Sequence, residues 1–230
     1  MPILPGPAPI DVTFRRSARS RRFCLRVSQL DGRVTLSMPL RARDRDALAF
    51  LQGHEAWLRA ALARRPALTR VSLGDSLPVE GQDRILTATT GRSALLTADS
   101  LLLPGAPDQA ATRAAAYLKL LARDRLATAS DHYAAILGRK VTRITLRDTR
   151  SRWGSCSHQG ALMYSWRLIL APPEVLSYVA AHEVAHLVEM NHSAAFWSVV
   201  TRLYPGWRAQ RRWLQTHGQH LHAFHFTAGD

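Results

Sequence analysis

Apolar and polar positions change their period several times along the chain, and each change marks an element. Residues 23–27 alternate apolar with basic side chains, 29–32 read as a turn, and 34–38 alternate again, which is a hairpin pattern. From 43 to about 63 the period lengthens to that of a helix, with Leu48, Leu51, Ala56, Trp57 and Leu58 on the core-facing stripe. Short strand-like runs follow at 71–73, 76–79, 85–89 and 94–103, set apart by Gly74, Gly81 and Gly91. Pro104 to Pro107 interrupts the pattern, so a boundary is expected between an N-terminal β-rich region with one helix, 1–105, and a second domain, 106–230.

The second half reads as a long Ala/Leu/Arg helix over 108–137 closed by Gly138, then a strand over 141–146. A second hairpin is expected from 152–157 and 161–168, joined by His158, Gln159 and Gly160. Pro172, Pro173 and Glu174 open a helix, because proline fits a first turn and a carboxylate suits the positive end of the helix dipole. That helix is expected to run to about residue 189. Ser193 is a plausible cap for another helix through Leu203, and 207–217 forms the last. The class is α+β.

Composition narrows the picture. A chain of 230 residues, 47% hydrophobic, can bury a substantial core. No apolar run is long enough to span a bilayer, and residues 1–10 lack the basic-then-apolar pattern of a signal peptide, so no membrane partner is expected. The two cysteines, Cys24 and Cys156, are far apart, which argues against a disulfide framework and for a reducing cytoplasm. The 31 Lys and Arg against 17 Asp and Glu leave a formal charge of +14, nearly all from arginine. Such a field favours polyanions, so nucleic acid is a candidate partner through the Arg-rich surface; the densest run is Arg15, Arg16, Arg19, Arg21, Arg22 and Arg26. An arginine bias of the coding sequence would produce the same count without any function.

The candidate chemistry lies at His182, Glu183 and His186, an H-E-x-x-H pattern inside the helix that Pro173 opens. At 3.6 residues per turn the two histidines stand roughly 40° apart around the axis and one turn apart in height, so both imidazoles reach one tetrahedral ion. Glu183 is offset around the helix and reaches the open position instead. His192 is the expected third ligand, provided the helix ends first and the chain turns back near Met190 and Asn191, where Asn tolerates a left-handed conformation. Three histidines leave one position free, the arrangement of a catalytic rather than a structural zinc site, with one Zn2+ per chain and Glu183 as general base. His54 and Glu55 begin the same pattern but Leu58 stands where the second histidine would be. Tyr164, Tyr178 and Tyr204 are candidate stabilisers of the transition state. His217, His220, His222 and His225 read as a solvated tail.

Several segments agree in order with one known group. Residues 151–156 (SRWGSC), 166–172 (WRLILAP), 178–187 (YVAAHEVAHL), 191–193 (NHS) and Phe196 with Trp197 together resemble the YgjP-like metallopeptidases, relatives of the SprT-type zincins. The likeness is strongest over 141–217 and extends more loosely to Asp31, Gly32, Pro39 and Trp57. It implies a zincin-like catalytic domain in which a small sheet and further helices pack the H-E-x-x-H helix. It also implies His182, His186 and His192 as zinc ligands, Glu183 as base, and a strand holding Trp153, Gly154 and Ser155 near the cleft. Arg152 and Arg167 flank that cleft, as does Arg150, and could meet phosphates or simply be solvated. Cys156 reads as structural. Where the group commonly has Asn before the Trp166 segment, this chain has Ser165. The resemblance implies a peptide or protein substrate, or a nucleotide cleaved by pyrophosphate release at the same zinc site. A zinc module that binds nucleic acid without turnover is the remaining reading.

Overall fold

In the computed structural model, strands built on alternating side chains form the first layer of each of two compact units, Met1–Ala67 and Leu68–Asp230. Residues 3–6, 8–28, 32–63 and 68–226 are the ones described. In the first unit β1 (Ile3–Leu4), β2 (Ile10–Ser17), β3 (Cys24–Val27) and β4 (Val34–Pro39) form one sheet in the order β1-β2-β4-β3. The expected hairpin is β3 against β4, antiparallel, with Cys24 opposite Ser37 and Val27 opposite Val34; most of its turn, 29–31, lies outside the described residues. Val34, Leu36 and Met38 are fully enclosed, whereas Thr35 and Ser37 between them face the other side.

The single helix expected over 43–63 is two, α1 (Asp44–Gly53) and α2 (Glu55–Ala63). Gly53 is the weakest helix former of the stretch. His54 then leaves helical geometry while its ring stacks on Phe50 at 4.1 Å and its Nδ1 lies 2.8 Å from the Phe50 carbonyl.

The second unit holds β5 (Thr69–Arg70), then β6 (Ser76–Val79), β7 (Gln82–Thr89), β8 (Leu95–Leu96) and β9 (Ser100–Pro104), the last four in the order β6-β7-β9-β8. After them come α3 (Ala110–Leu137), closed by a left-handed Gly138 as expected, and β10 (Arg143–Arg147), β11 (Gly154–Cys156) and β12 (Ala161–Ser165). These three make a sheet in the order β10-β12-β11, β12 lying parallel to β10 and antiparallel to β11. The hairpin expected to reach 168 stops at 165. Residues Trp166–Leu170 form a 3-10 turn instead, because all five side chains are buried and a strand would have turned alternate ones outward. Helices α4 (Pro173–Ala185), α5 (Ala194–Leu203) and α6 (Trp207–His217) follow, and β13 (Phe224–His225) returns to pair with β5.

The compact units divide at 67/68, whereas the sequence placed a boundary near 105. Leu77, Val79, Leu86, Leu101 and Leu103 share one continuous core with Ala114, Leu118, Leu168, Val175 and Val184, so 69–104 belong with the helices. Pro104 to Pro107 punctuates the chain within one core. The β6–β7 turn reaches α4 directly: a Cβ on Gly81 would lie 2.9 Å from Pro172 Cα, so only glycine admits this approach at its φ of +72°. No described helix is long and apolar enough to cross a membrane.

Candidate metal centre

Helix α4 is apolar nearly all round, with Val175, Val179, Ala180, Ala181, Val184 and Ala185 all buried, so it is fixed on every side. His182 and His186 sit at its C-terminal end. The helix stops at Ala185, with His186 as its cap residue, and tight turns carry the chain on: the Leu187 N–H donates to Val184 O at 2.9 Å and that of Val188 to Ala185 O at 3.1 Å. The break required for His192 therefore exists, but four residues earlier than expected and without a left-handed Asn191. Among the described residues Glu80 alone outside glycine has positive φ. Ser193 caps α5 as expected, its hydroxyl accepting the Phe196 N–H at 3.4 Å, and so fixes the residue before it.

The result brings three imidazoles together. The nearest ring nitrogens of His182, His186 and His192 all lie within 4.8 Å of one another, and the Nε2 atoms of His182 and His192 are 3.1 Å apart. Phe196 supports all three rings, stacked on His186 at 4.4 Å and edge-on to His182 and His192 at 4.9 and 4.7 Å. The Glu189 carbonyl lies 2.9 Å from His186 Nδ1 and can only accept, so that nitrogen carries the proton and Nε2 keeps its lone pair. Burial, with the neighbouring histidines and Arg211 adding to it, pushes His182 down to about 3. Burial likewise lowers His186. His182 Nδ1 is buried without a hydrogen-bond partner.

Glu183 faces an adjoining cleft of about 220 Å3 that Arg152, Trp153, Gly154, Tyr178, His182 and Leu214 also line. Burial pushes its carboxyl up to about 8, with Arg152 opposing the rise. Gly154 makes this packing possible, since a Cβ there would lie 2.5 Å from Glu183 Cγ and Oε1.

Of the other expected cleft residues, Arg152, Trp153 and Gly154 line this space, whereas Ser155 points to the opposite face of its sheet beside Met163. Arg167 is not a cleft residue. Its buried guanidinium forks onto Asp148 at 2.7 and 3.1 Å and donates to the Leu221 and Phe224 carbonyls at 3.0 and 2.9 Å. Those partners take four of its five N–H donors and leave no fork for a phosphate. Arg150 stays exposed.

Tyr164 is enclosed and hydrogen-bonded to Ser130 at 3.0 Å, leaving Tyr178, edge-on to His182 at 6.0 Å, as the one of the three candidate tyrosines that lines the cleft. Cys156 is half-buried, and burial together with Glu183 pushes its thiol up to about 11, the condition of an inert cysteine. His222 does not belong to a solvated tail: it is buried and stacks on Trp153 at 5.1 Å. A Cβ on Gly218 would meet the same Trp153 ring at 2.9 Å. Neither contact has a signal in local spacing, because each joins residues more than sixty positions apart.

Fold and site together define a helix-end centre of three imidazoles able to hold a metal ion beside a buried carboxylate. The description of the family "YgjP-like, metallopeptidase domain" matches residues 21–217, and the chain belongs to that family. No curated protein gives a match. Among solved structures, the chain is similar to the metallopeptidase zymogen abylysin of Pyrococcus abyssi, with 23% identity, a TM-score of 0.36, and coverage of 41% of this chain and 93% of that one.

Proposed function

We propose that the protein is a zinc-dependent peptidase that holds one zinc ion through His182, His186 and His192 and uses Glu183 as general base. The observation that carries this reading is the convergence of three ring nitrogens within 4.8 Å at the end of a buried helix, with Glu183 in the adjoining cleft. The donor set fits the metal. Neutral imidazoles suit zinc, burial favours the neutral form of His182 and His186, and three protein ligands leave a tetrahedral position open. The contact from His186 Nδ1 to the Glu189 carbonyl is the outer hydrogen bond that ligating histidines use to fix their orientation.

When bound, zinc would supply Lewis acidity, lowering the pKa of water toward about 7 and polarising the scissile carbonyl. The chain's own residues do the rest. The Glu183 carboxylate takes a proton from the attacking water and delivers it to the departing amine nitrogen. Its burial makes it a stronger base than a solvated carboxylate, while the Arg152 guanidinium limits the rise. Trp153 and Leu214 wall the cleft with apolar surface that limits competing water.

Zinc-loaded protein should hydrolyse peptides, and Glu183→Gln should lower turnover by about 10²–10⁴-fold while binding zinc at the same stoichiometry. Full activity in Glu183→Gln, or no zinc bound by the parent chain, refutes the assignment. Nucleotide hydrolysis at the same centre draws less support, since Arg167 is committed to Asp148 and two carbonyls.

A further inference from the structure

The sheet of β10, β12 and β11 has a second face with its own chemistry. Ile144, Leu146, Leu162 and Tyr164 pack toward the core, so the pleat turns Arg143, Thr145 and Arg147 of β10 outward together with Met163 of β12 and Ser155 of β11. These residues line a hollow of about 460 Å3. Arg143 and Arg147 are exposed, and no carboxylate is among the lining residues. Asp148, next along the chain, is held by Arg167. Arg152, just before the edge strand β11, lines both this hollow and the cleft of Glu183.

We propose that this hollow is a subsite selecting polypeptides with acidic side chains to one side of the scissile bond, read by Arg143, Arg147 and Arg152. The inference rests on the peptidase reading. Three guanidinium groups lie around one hollow without a lining carboxylate to offset them, and a carboxylate-bearing chain relieves their mutual repulsion while accepting forked hydrogen bonds. Thr145 and Ser155 add hydroxyl donors on the floor. Crossing from β11 to β10 covers two strand spacings, roughly 10 Å, or about three residues of extended chain. Passing round the β11 edge from the cleft face adds roughly another 10 Å, so the acidic positions lie about six residues from the cleaved bond. A polypeptide fits better than a nucleic acid because no aromatic side chain lines the hollow to stack a base.

The test uses the full chain carrying Glu183→Gln, which prevents cleavage, and fluorescence anisotropy with labelled extended peptides that bear Glu or Gln on one flank. The Glu peptide should bind at least tenfold tighter at low salt, an advantage that shrinks as salt screens it. Adding Arg143→Glu with Arg147→Glu should abolish the advantage. Arg70→Glu with Arg92→Glu, the same change in net charge away from the hollow, should preserve it. Arg143→Gln with Arg147→Gln keeps the test decisive if the reversal unfolds the protein. Equal binding of Glu and Gln peptides overturns the proposal, as does equal loss in the Arg70 and Arg92 control. Tighter binding of a single-stranded oligonucleotide, lost on Arg143 and Arg147 reversal, also overturns it. Failure of the peptidase reading shows separately, as absence of peptide cleavage by the zinc-loaded parent chain.

Discussion

Gly154 controls the position of Glu183 without any chemistry of its own. A methyl group there would overlap Glu183 Cγ and Oε1 at 2.5 Å, so Gly154→Ala must displace the carboxylate. Misplacement on the scale of an ångström costs about 10²-fold in rate, and we expect a loss of that order in peptide turnover. Zinc stoichiometry should change little, because the three imidazoles lie on α4 and before α5; an active Gly154→Ala variant would show that Glu183 has room elsewhere. At this scale the sequence was most legible where one helix repeats its own geometry. His182, Glu183 and His186 are placed by period alone. Gly154 and Trp153 are legible only through resemblance to a family, and the packing of Arg167 is not legible because its partners, Asp148, Leu221 and Phe224, are 19, 54 and 57 residues away.

Among the elements, β13 and the turn before it tie the C-terminal segment to the entry of β11 through His222 on Trp153, and to the 3-10 turn through Arg167 on the Leu221 and Phe224 carbonyls. This junction should weaken in acid. Burial, with Arg167 adding to it, pushes His222 down to about 4 from an ordinary value of 6.5, so on acidification the unfolded chain takes up the proton first. Stability is complete above the unfolded value and falls between about 6.5 and 4, by on the order of 3 kcal/mol for this group. Burial alone would raise the Asp148 carboxyl, but the Arg167 guanidinium outweighs it and holds it low, so its contribution is lost at still lower pH. Melting temperatures of the metal-free protein should drop from pH 7.5 to 4.5, and His222→Phe, which keeps a ring on Trp153, should shrink that drop. An undiminished drop in His222→Phe would place the lability elsewhere. Element ends were the least legible feature: the break at Gly53 and the stop at Ala185 both depend on what the following side chains touch.

For the whole molecule, two cores matter more than the proline-rich interruption. Val12, Val34, Leu36 and Met38 form one buried cluster, and the strands after residue 68 share the other with α3 and α4. Period told strand from helix in both, but which strands share a core is decided by contacts between distant positions. Leu36→Ala should therefore cost about 2–5 kcal/mol in the N-terminal unit. Zinc should still bind at temperatures where that unit has melted, as read by calorimetry alongside a zinc titration. A single transition that carries zinc binding down with it would mean the units fold as one.

The early stop of α4 has a kinetic consequence. Two of the proposed ligands belong to the helix end and the third to the turn before α5, so opening of residues 187–193 should suffice to release the ion. Metal exchange should then follow local opening rather than global unfolding. Amide hydrogen exchange should find Val179 to Val184 slow in both metal states, with 190–193, beyond the hydrogen-bonded turns at 187–189, gaining protection when zinc is present. Protection of that turn in the metal-free protein would instead describe a preassembled socket.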